Sequence, residues 1–377
     1  MTDRHDQALQ ALASRGRLRA LAPRAGIDFS SNDYLGLGAS SELRSAIAAA
    51  LQRGVAVGAG GSRMLRGNDP EHEALEASAA AYFGAEAALF FGGGFIANTA
   101  IFSTLPQRGD VIFYDERIHA SAHDGMRASK AVAVAVLHND VQAFENAITA
   151  WRQAGGKGRP WIAVESLYSM DGDRAPLPEL SEIANRHDAM LVIDEAHATG
   201  VYGLNGRGLA SAIEGQPNIV SLHTCGKALG VSGALVLCSR VLRDFLVNRA
   251  RPFIYATAPS PLIAAGVRAA LHLSETQPER RERLQKMIAM TSQMLPQMCG
   301  VTASGSQIQP IVVGSDMRAV RLASAMQAHG FDIRAVRPPT VPEGTARLRI
   351  SLTLNATEAE VERMIATLAK ELQRMPV

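Results

Sequence analysis

Three residues near the middle of the chain have the types and the order that carbonyl chemistry needs. Asp194 closes the apolar run of VIDEAH (192–197), His197 follows it at Asp–x–x–His spacing, and Lys227 lies in HTCGKALG (223–230), just after the next apolar run. Asp–x–x–His alone is a weak signal and a lone loop lysine is usually solvated; order and spacing together carry more weight. Both runs read as parallel strands, so the three side chains lie at strand carboxyl ends, where open α/β sheets bind ligands. The chemistry that uses them is that of pyridoxal phosphate. A lysine amine forms a Schiff base with the aldehyde, and a carboxylate keeps the pyridine nitrogen protonated so that the ring accepts electrons. Coulomb attraction to the carboxylate favours the pyridinium, and Lys227 is then easier to keep neutral, hence nucleophilic and later basic.

A phosphate needs a cradle. FGGGFIAN (91–98) leads from a strand through three glycines into a helix, which presents free N–H groups and the positive dipole end to an anion. The same letters also build a tight strand-to-helix turn. Rival motifs fail on counting. GAGGSR (58–63) has Arg63 where a dinucleotide loop needs its third glycine, HEALE (72–76) has Glu76 where a zinc protease needs histidine, and no GxSxG occurs. VIDEAH contains the letters of a helicase DEAH box, but a nucleotidase also needs GxxxxGK[ST]; Lys157 is followed by Gly158 and Lys227 by Ala228. That reading is disfavoured.

The elements that must position these residues are those of an α/β protein. The 377 residues are 47% hydrophobic and 20% charged, enough for about two to three domains with a full core. Seven apolar runs read as strands: 87–91, 111–115, 131–137, 161–166, 190–194, 218–223 and 234–239. Most are unbroken, as strands covered on both faces should be. Asp69 caps a helix opening at Pro70 and ending at Gly84. After about residue 262 long helices alternate with short strands near Ile311 and Leu348. Thr357 and Glu360 form a capping box for a last helix that buries Val361, Met364, Ile365, Leu368 and Leu372. The expected organisation is an N-terminal segment (1–35), a large domain (36–262) with a mostly parallel seven-stranded sheet, and a smaller α+β domain (263–377). QAGGKGRP (153–160) reads as a surface turn.

Composition narrows the partners. Thirty-eight basic against 36 acidic residues leave a net charge of +2, too balanced for a phosphate-tracking nucleic-acid surface. The first ten residues lack the apolar core of a secretory signal and no run approaches the roughly 18 apolar residues of a membrane span. Cys225, Cys238 and Cys299 show no metal-ligand spacing. A cytoplasmic protein without disulfides, structural metal, nucleic acid or membrane is expected.

The motifs together resemble the α-oxoamine synthases, a family of fold-type I pyridoxal-phosphate enzymes. The resemblance runs through FSSNDYLGL (29–37), GAGGSRMLRGN, GGGFIAN, DERIHAS, SMDGD, VIDEAHATG and HTCGKALGVSGA to RPPTVPEGTARLRIS (337–351), nearly the whole chain. It implies that Lys227 is the Schiff-base lysine, Asp194 the pyridine partner and His197 a donor to the ring hydroxyl. His119 stacks on the cofactor face, the amides of Gly94 and Phe95 and the hydroxyl of Thr224 serve the phosphate, and Ser169 approaches the cofactor. Thr257 reaches the partner subunit's phosphate, because the family's active site lies at a homodimer interface. For substrate it implies Arg337, Thr340, Arg349 and Asn32, and an N-terminal arginine for which Arg17, Arg19 and Arg24 compete; Arg19 is chosen. The 337–351 segment points to the member that condenses L-alanine with pimeloyl-CoA, or pimeloyl-acyl carrier protein, in biotin synthesis. Glycine C-acetyltransferase and 5-aminolevulinate synthase are the alternatives within the family.

Overall fold

A computed structural model describes residues 2–375. The chain divides into two compact units: Leu35–Ser169 with Arg174–Arg281, and the remainder, namely the described residues up to Tyr34, Met170–Asp173 and those from Glu282 onward.

The larger unit is built on seven strands, β1 (Ala87–Phe91), β2 (Val111–Asp115), β3 (Val132–Val136), β4 (Pro160–Glu165), β5 (Met190–Asp194), β6 (Ile219–Thr224) and β7 (Ala234–Cys238). Their order across the sheet is β1-β7-β6-β5-β4-β2-β3. All neighbouring pairs are parallel except those of β7, which runs antiparallel to β1 and β6. All seven runs seen in the sequence form this sheet. Side chains alternate between its faces. Trp161, Ala163, Met190, Val192, Val220 and Leu222 pack with Ala97, Ala100 and Ile101 of the helix Gly94–Thr104 on one face. Ile162, Val164, Leu191, Ile193 and Ile219 pack with Leu180 and Ile183 on the other. The edge strand β3 departs from the two-sided reading: Val132, Ala133, Val134 and Ala135 are all exposed, so both of its faces are open until Val136.

The helix Pro70–Phe83 starts at Asp69 and ends at a left-handed Gly84, as its sequence requires. His72 completes its capping box, with Nδ1 accepting from the Asp69 amide at 3.2 Å. Gly155, at φ 92°, turns the chain between the helix Val141–Gln153 and β4, where the surface turn was expected.

The smaller unit holds a three-stranded antiparallel sheet, Arg334–Val336 beside Ala346–Ser351 beside Ile308–Gly314, with the helices Asp316–Ala328 and Glu358–Arg374. The Thr357–Glu360 capping box forms as expected, and Val361, Met364, Ile365 and Leu368 are buried, whereas Leu372, in the last turn, is only half-buried. Two boundaries differ from the sequence reading. Residues before Tyr34 join this unit through the strand Ile27–Asp28, which pairs in parallel with Phe331–Asp332. The division after 262 moves to Arg281/Glu282, because Ala264, Val267, Ala270 and Leu271 of the helix Pro261–Thr276 pack on Leu43, Leu75, Ala79 and Phe83 of the larger unit.

Candidate active site

Within the larger unit, β4, β5 and β6 end on Glu165, Asp194 and Thr224. Glu165 and Asp194 are register partners on adjacent parallel strands, so their side chains project from the same face, the one covered by the helix Gly94–Thr104. Asp194 is held at both oxygens. Oδ1 accepts from the Ala196 amide at 2.9 Å and Oδ2 from Asn98 Nδ2 at 2.7 Å. The same Asn98 nitrogen lies 2.9 Å from Ser121 Oγ, which is 2.8 Å from His119 Nδ1. Asn98 and Ser121 are buried. His119 is also the N-cap of the helix Ala120–Arg127. Its pKa lies below the usual histidine value, chiefly through the protein packed around it; Asp194 pulls it up, and Lys227 and His123 push it down.

Lys227 sits in the turn after β6, closed by bonds from the Cys225 amide to Gly233 O and the Gly230 amide to Lys227 O, both 2.9 Å. Its Nζ is 2.7 Å from His197 Nε2. Lys227 and His197 are therefore brought together, while Asp194 stands at the end of β5, joined to His119 through two further side chains. Glu165 is the residue the sequence reading missed beside them. Its Oε2 accepts from the Ser169 amide at 3.1 Å and its Oε1 is buried without a protein partner. Burial, then the neighbouring Asp194, holds its carboxyl well above the usual range, against the pull of Lys227.

The glycine loop leaves room for an anion. Gly93 precedes the helix Gly94–Thr104 and provides no side-chain cap, so the first amides of the helix are left for another acceptor. A Cβ on Gly92 or Gly93 would meet nothing within 4 Å, and one on Gly94 would lie 3.5 Å from Thr224 Oγ1. Phe95 is 51% exposed, which leaves its amide as its contribution. An amine, a fixed carboxylate and a vacant-capped helix N-terminus with a hydroxyl beside it are the donor set that PLP requires, and the unpartnered Asn98 Oδ1 adds a buried acceptor. The residues fit the cofactor. Thr257 lies exposed in a loop fastened by the Ala258 amide to Gly61 O, and none of these bonds reaches it.

The smaller unit gathers the expected substrate residues in two groups. Arg19 donates to Thr340 Oγ1 at 3.1 Å, and Arg337, whose carbonyl accepts from the Thr340 amide, donates to Gly16 O. Arg17 is engaged by Asp316 at 2.6 Å and by Glu343, whose carboxylates raise its pKa. Of the three competing arginines, Arg17 is thus committed to ion pairs. In the second group Arg349 donates to Ser351 Oγ at 2.7 Å and Asn32 Oδ1 at 3.0 Å, and Tyr34 OH donates to Asn32 Oδ1 at 2.9 Å.

Among the described residues no group of three or more His, Cys, Asp or Glu is placed to hold a metal ion, and no helix is long and apolar enough to cross a membrane. Comparison with known proteins agrees with the geometry. Residues 24–368 match the aminotransferase class I and II family. The 8-amino-7-oxononanoate synthase of Anaeromyxobacter sp. (strain K) is 41% identical over 98% of this chain and 95% of its own, and that of Chromobacterium violaceum 44% over 91% and 88%. Among solved structures, a serine palmitoyltransferase from S. paucimobilis with PLP bound aligns at TM-score 0.89 and 26% identity, over 99% of this chain and 98% of its own. The 8-amino-7-oxononanoate synthase of Francisella tularensis aligns at TM-score 0.78 and 29% identity, over 93% and 98%. The cofactor is pyridoxal phosphate. With its fold, its strand-end lysine and carboxylate and these relatives in agreement, the chain belongs to the aminotransferase class I and II family and, within it, to the α-oxoamine synthases.

Proposed function

We propose that the protein joins L-alanine to a pimeloyl thioester, releasing the thiol and carbon dioxide and leaving 8-amino-7-oxononanoate, a step of biotin synthesis. The activity named for its bacterial relatives supplies the reaction. The observation that carries it here is the joined set of Lys227 with His197 and of Asp194 with Asn98, Ser121 and His119. When bound, PLP supplies an aldehyde for the amino acid's nitrogen and a ring that takes up the electron pair left at Cα. Asp194 keeps that ring's nitrogen protonated, and its two anchors stop the carboxylate from turning away. Lys227 would hold the cofactor and, as a free amine, would move the Cα proton, with His197 Nε2 2.7 Å from its Nζ to accept a hydrogen bond from the amine. Gly94, Phe95 and Thr224 would receive the phosphate, and Ser169 would help hold the cofactor. His119 forms one wall and donates to the incoming carbonyl. Arg349 and Asn32 take a carboxylate, for which a guanidinium fork is the natural clamp; Arg19, Arg337 and Thr340 take the acyl substrate.

A homodimer completes the site in this reading. Supporting it, Val57, Met64, Leu65 and Tyr255 are exposed apolar residues on two loops tied together by Ser62 Oγ to Ile254 O and Ala258 N to Gly61 O, with Thr257 between. Sedimentation at micromolar concentration should give twice the chain mass.

The test is thiol release from a matrix of L-alanine, glycine and L-serine against pimeloyl-CoA, pimeloyl-acyl carrier protein, acetyl-CoA, succinyl-CoA and palmitoyl-CoA. Release chiefly with L-alanine and a pimeloyl thioester is expected. A preference for glycine with a short acyl-CoA, or for L-serine with palmitoyl-CoA, moves the protein to a sister activity with the same cofactor.

A further inference from the structure

We infer that Asn98 and Ser121 are positioning residues that fix the tautomer of His119, leaving its proton on Nε2, and tie its ring to the carboxylate of Asp194. The inference rests on the reading of this cluster as the PLP site. It follows from which atoms can donate. The Ser121 backbone amide lies 3.3 Å from His119 Nδ1 and can only donate, so Nδ1 is an acceptor and carries no proton. Ser121 Oγ, 2.8 Å from the same nitrogen, must then donate to it, and its oxygen is left to accept from Asn98 Nδ2 at 2.9 Å. The second Asn98 amide hydrogen goes to Asp194 Oδ2 at 2.7 Å. Turning the Asn98 amide over would set oxygen against a carboxylate oxygen and leave Ser121 without a donor, so its orientation is fixed as well. Donation therefore runs outward from Asn98 in both directions, to Asp194 directly and to His119 through Ser121.

The consequence is chemical. A second proton could enter His119 only at Nδ1, at the loss of the bond from the Ser121 amide and the reversal of the one from Ser121 Oγ, and the groups facing the ring divide, Asp194 favouring the cation and Lys227 and His123 opposing it. The ring stays neutral and its Nε2 is a hydrogen-bond donor, suited to a carbonyl oxygen and unable to accept a proton. The Cα proton is left to Lys227. Asn98 also couples the two sides of the site, since one side chain orients both the group beneath the ring nitrogen and the group that stacks on the ring.

Protein labelled with 15N-histidine, as apoprotein and loaded with PLP, tests this directly. His119, assigned by its absence in His119→Gln, should show an unprotonated Nδ1 and a protonated Nε2 from pH 6 to 8. Ser121→Ala, which keeps the backbone amide, should raise the His119 titration midpoint and mix the tautomers. It should lower kcat about fivefold, the effect of one lost hydrogen bond, with KM for the amino acid within about twofold. Asn98→Ala should do the same and also weaken PLP affinity; should it fold poorly, Ser121→Ala decides alone. A proton on Nδ1 in the parent, or a His119 signal unmoved in Ser121→Ala, overturns the proposal. The signals of the apoprotein do not depend on the acyl substrate, so failure of the alanine and pimeloyl assignment would leave this result standing, and the reverse.

Discussion

At the scale of single residues, the site divides into groups that announce themselves and groups that do not. Lys227, Asp194 and His197 were legible through their order and spacing at the ends of two successive apolar strands, although none of them alone carries that signal. Lys227→Ala should give a protein that unfolds like its parent but releases PLP on dialysis and turns over at least about a thousandfold more slowly; retained cofactor and near-normal turnover would remove the lysine from its role. Asn98 and Glu165 were hidden because what ties them to the site, Asp194 and Ser121 for the first and the strand register with Asp194 for the second, is set by helix placement and sheet order rather than by spacing. Glu165 carries its own prediction. A protonated carboxyl resembles an amide, so near pH 4, where the unfolded carboxyl is largely protonated too, Glu165→Gln should hold stability within about 1 kcal/mol, whereas Glu165→Ala leaves the Ser169 amide without its acceptor and costs about 1–3 kcal/mol. Urea titration of the two variants separates them; equal losses would mean that shape, not the hydrogen bond, is what the site needs.

Elements were legible in proportion to how local their causes are. Unbroken apolar runs gave all seven strands of the large sheet, and caps gave helix starts, since a cap is a bond across three residues. Thr357→Ala removes the hydroxyl that accepts from the Glu360 amide while the Glu360 carboxylate keeps its bond to the Thr357 amide, so a loss of about 0.5–2 kcal/mol is expected by chemical denaturation. No change would mean that this helix start is held by the packing of Val361 and Met364 alone. What was not legible depends on distant pairing. The strand Ile27–Asp28 has two residues and no periodicity, and only its ladder with Phe331–Asp332 makes it a strand. The exposure of β3 on both faces and the unit to which the helix Pro261–Thr276 belongs follow from what lies next to them in space. An apolar stripe says that something is buried, but not against which partner.

At the scale of the whole molecule, buried titratable groups set how stability varies with pH, and they oppose one another. His72 is fully buried, with Nδ1 accepting from the Asp69 amide and Nε2 donating to Pro259 O at 2.7 Å, so a second proton must break the first bond. Burial pushes its pKa down, and burial and Arg127 do the same for His123. Unfolded histidine titrates near about 6.5. Above that pH neither state binds the proton; below it the unfolded chain binds protons that the native protein refuses, so stability falls with acidification. Glu165 and Glu195 work the other way. Their native pKa values are raised by burial, so the unfolded chain ionises first, from about 4.3, and stability is lost as pH rises through the interval up to their native values. Asp115, lowered in the native protein by His138 and the Asn139 and Arg117 amides against its own burial, adds stability that is lost only as pH falls below about 3.9. Between pH 7 and pH 5 the histidines and Glu165, whose carboxyl is held well above the usual range, therefore work against each other. In the apoprotein His72→Gln should make the loss of stability on going from pH 7 to 5 smaller, and Glu165→Gln should make it larger, because each removes one side of the opposition. Unfolding curves at three pH values are enough to decide: two variants that both keep the parent's slope would place the pH dependence outside these buried groups.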